Sequence, residues 1–100
     1  MTELRTLIAD LDKIDDDLTI YIASGAEWTA GSSVIAALEP EGGVPPLEAS
    51  AQDMEYFLEV FIAKDVLQEW KEWQGVEELS LEKKLEILLY YAKNDAYPLE

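Results

Sequence analysis

Cysteine and histidine, two residues on which much protein chemistry depends, are absent from the 100 residues of this chain. Without cysteine the chain can form neither a disulfide framework nor a thiolate metal site. Without histidine it cannot assemble Ser-His-Asp or Cys-His catalysis, and the usual zinc and haem ligands are missing. Gly42 and Gly43 are not followed by the Lys-Ser/Thr helix start of a phosphate loop. We therefore expect no enzymatic activity, no cofactor and no bound metal ion.

Long apolar segments are absent as well. No apolar run approaches the roughly 18 residues that a membrane span needs. The start of the sequence shows neither the basic region nor the apolar run of a signal peptide. Hydrophobic residues make up 49 % of the chain, a composition typical of a globular protein. We expect a single domain over residues 1–100 in the cytoplasm of a bacterium, with no membrane partner.

Positive charge is scarce. The chain has 22 acidic and 7 basic residues, which gives a net charge of −15. Residues 14–63 contain ten acids and neither lysine nor arginine, so two-thirds of the net charge lies in half of the chain. Such a field repels nucleic acid and attracts basic proteins. The alternative reading is that the charge serves solubility alone.

One acidic run, Asp10–Asp17, invites comparison with a calcium loop. An EF-hand loop needs oxygen ligands at positions 1, 3 and 5, glycine at position 6 and glutamate at position 12. Counted from Asp10, the last three of these positions hold Ile14, Asp15 and Tyr21. The pattern fails, and a solvated helix end is the simpler interpretation.

Hydrophobic periodicity predicts the elements. Residues 54–62 fit both a helix and a strand, and their β-favouring composition favours a strand over 55–61. The predicted segments are a helix over about 3–12 capped by Thr2, strands over 18–23 and 33–38, a Gly/Pro break over 39–46, a short helix over 46–52, a strand over 55–61, a helix over 64–74 that stops at Gly75, and a last helix capped by Ser80 that stops near Asn94. The prediction is an α+β fold in the order α-β-β-β-α-α, with a small antiparallel sheet of about three strands and helices packed on one face.

The end of the chain resembles a known family. Tyr90 and Tyr91, followed after three residues by Asp95-Ala96-Tyr97, are similar to the closing motif of a family of small uncharacterised bacterial proteins. The segment Met54–Val66 is similar as well. The resemblance implies a fold rather than an activity, and it favours the strand over 55–61.

Aromatic side chains among the acids are the candidate binding residues. Trp70 is expected in the core, whereas Trp73 lies near a helix end and is expected to be partly exposed. Trp28, in a loop, is either an interface anchor or a side chain folded onto the sheet edge. The candidates for contact with a partner are Trp28, Glu27, Glu39, Glu41, Trp73 and Tyr91.

These residues favour a non-enzymatic protein-binding module that engages a basic partner, like an immunity protein or an inhibitor. The alternative is a structural or self-associating subunit, such as a homodimer, with no separate ligand. It predicts an exposed apolar patch. No nucleic-acid partner is expected.

Overall fold

A computed structural model describes residues 2–25, 27–38 and 53–94, in which an antiparallel sheet carries helices on one face. The strands are β1 (Thr2–Glu3), β2 (Thr19–Ala23), β3 (Ser33–Ala37) and β4 (Met54–Glu59). The helices are α1 (Leu4–Ala9), α2 (Val60–Gln74) and α3 (Leu81–Asn94), and a 3₁₀ turn over Leu11–Lys13 follows α1. The predicted α+β class is confirmed, with four strands in place of about three.

The sheet has the strand order β1-β3-β2-β4, and every pairing is antiparallel. Alternation along β2 decides which side chains meet the helices. Ile20 and Ile22 are fully buried in the core beneath the helices, whereas Tyr21 points to the opposite face and packs with Met54. The predicted antiparallel pairing of the strands near 18–23 and 33–38 is confirmed.

The first strand, β1, was not predicted from the sequence. Two residues are too few to show alternation, yet Thr2 pairs with Val34 in β3. The predicted cap by Thr2 is wrong, because the residue before α1 is Glu3 and it makes no side-chain cap. The backbone N–H groups of Leu4 and Arg5 instead donate to carbonyls of the loop before β3, at 2.8 and 2.9 Å. That loop satisfies donors that a cap would otherwise serve.

An irregularity in β4 explains why residues 54–62 fitted two periodicities. Ile20 faces Leu58 and Tyr21 faces Tyr56, so Phe57 is an extra residue on β4. Both Phe57 and Leu58 are therefore buried in the core beneath the helices. The strand prediction is confirmed, but the strand ends at Glu59 and α2 begins at once.

Helix α2 starts four residues earlier than predicted because its buried stripe begins at Val60. Its end at Gly75 is as predicted. Gly75 has a φ of 69°, and the N–H groups of Gly75 and Val76 donate to the carbonyls of Glu72 and Lys71 in a Schellman arrangement. The predicted cap of α3 is confirmed as well, since Ser80 Oγ accepts the N–H of Lys83 at 3.1 Å.

The core lies between the helices and the sheet. Trp70 on α2 is 2 % exposed and is the largest buried side chain, as predicted. Helix α3 packs against both α1 and α2. The predicted helix over 3–12 is shorter than expected, because i to i+3 hydrogen bonds tighten residues 10–14 into a 3₁₀ turn that buries Leu11.

Some predictions fall outside the described residues. They are the Gly/Pro break over 39–46, the short helix over 46–52, the candidate residues Glu39 and Glu41, and the closing motif after Asn94.

Candidate functional site

Two of the predicted binding residues, Glu27 and Trp28, lie beside the C-terminal end of α3. Glu27 forms an exposed ion pair with Lys93, with 3.6 Å between Oε1 and Nζ. The Trp28 ring is half-buried and meets the Phe57 ring edge-on, with 5.3 Å between the centroids. Of the two readings of Trp28, the structure therefore shows a loop tryptophan packed onto the sheet.

The adjacent tyrosines of α3 point to different sides, as neighbours on a helix must. Tyr91, the predicted candidate, is half-buried and packs against the core. Tyr90 is 40 % exposed. The more accessible ring of the pair is therefore the one that was not a candidate.

Trp73 is the most exposed aromatic residue of the described chain, at 59 %. It meets the buried Trp70 edge-on, with 5.2 Å between the ring centroids. Next to this pair, a groove of about 410 Å³ runs past Val76 and Lys83, and the Lys83 ammonium lies 5.2 Å from the centroid of Trp70. We refer to Trp70, Trp73, Gln74, Val76 and Lys83 as the Trp73 surface.

The structure does not bring the sequence-predicted candidates together. The Trp73 surface lies by Lys83 at the start of α3, whereas Glu27 and Trp28 lie by Lys93 near its end. Ten residues of helix separate these two points by about 15 Å. The four candidates that the structure describes, Glu27, Trp28, Trp73 and Tyr91, therefore do not form a single site.

A different site forms at the end of the sheet where β2 begins. Thr19 pairs with Ala37 on one side and with Glu59 on the other, so the residues that follow β3 and β4 emerge side by side. The N–H of Val60 donates to the carbonyl of Leu18 at 2.9 Å and fixes the first turn of α2 against this end. Leu38 and Phe61 are thereby placed beside the Asp15–Asp17 turn.

The side chains at this end combine exposed apolar groups with carboxylates. Leu38 is 66 % exposed and Phe61 is 46 % exposed. They line a cavity of about 210 Å³ together with Asp16, Asp17 and Glu59. We call these five residues the acidic patch. No lysine or arginine lines the cavity among the described residues, so its local field is negative.

A lysine from outside the acidic stretch holds the turn in place. Lys64 Nζ donates to the carbonyl of Ile14 at 2.8 Å and to Asp16 Oδ1. The N–H of Asp17 donates to Asp15 Oδ1 at 3.0 Å, which closes an Asx turn. The carboxylate of Asp17 is therefore positioned on a braced turn.

The sequence predicted that this part of the chain is acidic, but it did not predict which residues form the acidic patch. All five members lie within residues 14–63, which contain no lysine; they are Asp16, Asp17, Leu38, Glu59 and Phe61. What brings them together is the pairing of Thr19 with both neighbouring strands, which no local pattern encodes.

Neither a metal-binding cluster nor a membrane-spanning helix is found among the described residues. Within residues 2–25, 27–38 and 53–94, no group of three or more acidic side chains is placed to hold a metal ion. Among the same residues, no helix combines the length and apolarity that crossing a bilayer requires.

Comparison with known proteins identifies a family without assigning an activity. No curated protein and no solved structure matches the chain significantly. The model of one family, described as a domain of unknown function (DUF7716), matches residues 1–98. The predicted membership of an uncharacterised domain family is thus confirmed, and the chain belongs to the DUF7716 family.

Proposed function

We propose that this protein is a non-enzymatic binding module whose acidic patch engages a basic surface of another protein, as an immunity protein or inhibitor does. The observation that carries the proposal is the pairing of two exposed apolar side chains, Leu38 and Phe61, with three surrounding carboxylates. Aromatic side chains are enriched in the centres of protein interfaces, and a polar rim surrounds them.

The charge distribution supports a basic partner. Asp17 and Glu59 have no ion-pair partner among the described residues, so both carboxylates are available to cations of another molecule. Complementary rim charges accelerate association and select against wrong partners. With a net charge of −15, the whole chain attracts a basic protein at distances up to about 10 Å at moderate ionic strength.

We further propose that the protein acts in the bacterial cytoplasm. The absence of cysteine from the sequence supports a reducing compartment, and the acidic composition suits a soluble inhibitor of a basic protein.

The test is affinity capture from a lysate of the source organism, followed by binding measurements on the purified partner. Phe61→Ser is expected to weaken binding by about tenfold or more, because it removes the apolar centre. The double variant Asp17→Asn/Glu59→Gln is expected to slow association and reduce the salt dependence of binding.

The matched control is Glu77→Gln/Glu78→Gln, which removes the same charge from the loop between α2 and α3. It should bind almost like the unmodified protein. Equal weakening by both double variants would show that net charge alone matters and that the acidic patch is not the site.

A second candidate function is self-association through the Trp73 surface, and the exposure of Trp73 favours it. A homodimer there would have to overcome the repulsion of two chains of charge −15. It should therefore form at high salt and disappear in Trp73→Lys, as measured by light scattering. A monomer at both low and high salt would contradict this second function.

A further inference from the structure

A third cavity lies on the helical side of the molecule; it shares Asp16 with the acidic patch and no residue with the Trp73 surface. Its volume is about 370 Å³, and it is bounded by α1 and the 3₁₀ turn on one side, by α2 on the other and by the start of α3 at one end. Leu11, Leu67 and Leu79 contribute apolar lining. Cavities of this size hold small organic molecules.

Two lysines at the α3 end of this cavity have no ion-pair partner among the described residues. Lys64, Lys83 and Lys93 each form an ion pair with a carboxylate. Lys71 and Lys84 both line the cavity and are half-buried, yet within the described residues neither ammonium has an ion pair or hydrogen bond. In a chain with 22 acids and 7 bases, unpaired half-buried cations require an explanation.

The helix dipoles do not supply that explanation. Lys71 lies in the last turn of α2, where a cation is favourable. Lys84, however, lies in the first turn of α3, where the partial positive charge of the helix opposes a cation. An anion between the two ammonium groups would compensate for this cost.

The opposite end of the cavity is acidic. Asp12 and Asp65 line it there, and the carboxylate of Asp16 is already paired with Lys64. Asp65 and Lys71 are six residues apart on α2, or about 9 Å along the helix axis. A small ligand can therefore place an anionic head at the lysines while its body lies over the leucines.

From this arrangement we infer that the cavity binds a small organic anion with an apolar body, its acidic head held by Lys71 and Lys84. The carboxylates of Asp12 and Asp65 exclude a second negative charge from the far end. This inference does not rest on the proposed function, because neither Lys71 nor Lys84 belongs to the acidic patch or to the Trp73 surface.

The test is a titration of the full ¹⁵N-labelled chain with hexanoate, followed through amide chemical shifts, with hexylamine as the probe of opposite charge. Hexanoate is expected to shift amides around Leu67, Lys71, Leu79 and Lys84. Lys71→Gln/Lys84→Gln is expected to raise the dissociation constant about tenfold, as loss of charge-assisted hydrogen bonds would. The same spectra report whether the variant is folded.

The matched control is Lys13→Gln/Lys93→Gln, which changes the net charge equally at residues outside the cavity. It should leave the hexanoate affinity almost unchanged. The inference is overturned if hexanoate causes no shifts at millimolar concentrations or binds elsewhere. It is likewise overturned if hexylamine binds as tightly, or if both double variants weaken binding equally.

Discussion

The acidic patch and the Trp73 surface both expose apolar side chains, but they are built in opposite ways. The Trp73 surface comes from residues 70–83, which are neighbours along the chain, and a lysine lies over its buried tryptophan. The acidic patch takes residues from the turn before β2, the residue after β3, the end of β4 and the start of α2, and among the residues that the structure describes no base lines its cavity.

The difference concerns how far the packing of the fold accounts for each exposed apolar side chain. At the Trp73 surface, the exposed Trp73 ring meets the buried Trp70 ring edge-on, and the Schellman turn at Gly75 ends the helix that carries both. Its exposure follows from the packing of Trp70. At the acidic patch, Leu38 is 66 % exposed and does not belong to the helix-side core. Packing in that core therefore does not explain why an apolar residue lies there.

The largest expected difference in the free energy of unfolding is between variants of the two tryptophans of the Trp73 surface. Trp70→Ala should lower the free energy of unfolding by about 3–5 kcal/mol, because it empties a core position that is 2 % exposed. Trp73→Ala should lower it by no more than about 1 kcal/mol, since it loses an edge contact. Urea unfolding measures both, and Trp70→Phe should fall between them if Trp70→Ala does not fold. Equal losses would mean that the surface is part of the core.

A smaller difference in stability is expected between variants of the two supporting lysines, Lys64 at the acidic patch and Lys83 at the Trp73 surface. Lys64→Met should cost about 1–2 kcal/mol, because the Ile14 carbonyl and Asp16 lose a charged donor. Lys83→Met removes a more exposed ion pair and a cation–π contact, and should cost less than about 1 kcal/mol. Thermal and urea unfolding would measure the order. A reversed order would show that the Asp turn is not held by Lys64.

The smallest expected effect concerns the starts of two helices, α3 beside the Trp73 surface and α1 at the end of β3 away from the acidic patch. Ser80→Ala should destabilise the protein by about 1 kcal/mol, because it removes the acceptor for the N–H of Lys83. Thr2→Ala should change stability by less than about 0.5 kcal/mol, since α1 takes its acceptors from the loop before β3. A loss for Thr2→Ala equal to that for Ser80→Ala would indicate a side-chain cap on α1 after all.

Local chemistry predicted much of the second half of the chain. The apolar stripe of α3, its cap at Ser80 and the stop of α2 at Gly75 depend on residues within one or two turns of each other. The boundary between β4 and α2 was placed too late, because the extra residue Phe57 interrupts the strand alternation. The strand β1 escaped prediction because two residues carry no periodic signal.

Composition and local patterns were enough to predict the α+β class, the cap of α3 at Ser80, the stop of α2 at Gly75, the acidic character of residues 14–63 and the exclusion of histidine and cysteine chemistry. These follow from composition and from periodicities of two and 3.6 residues, which act over short distances along the chain. The folded chain was needed to show that Trp28 packs on Phe57, that Leu38 and Phe61 line one cavity with three carboxylates, and that Lys71 and Lys84 share another cavity. Each of these depends on strand register or helix packing between residues far apart in sequence, which the pattern along one segment does not specify.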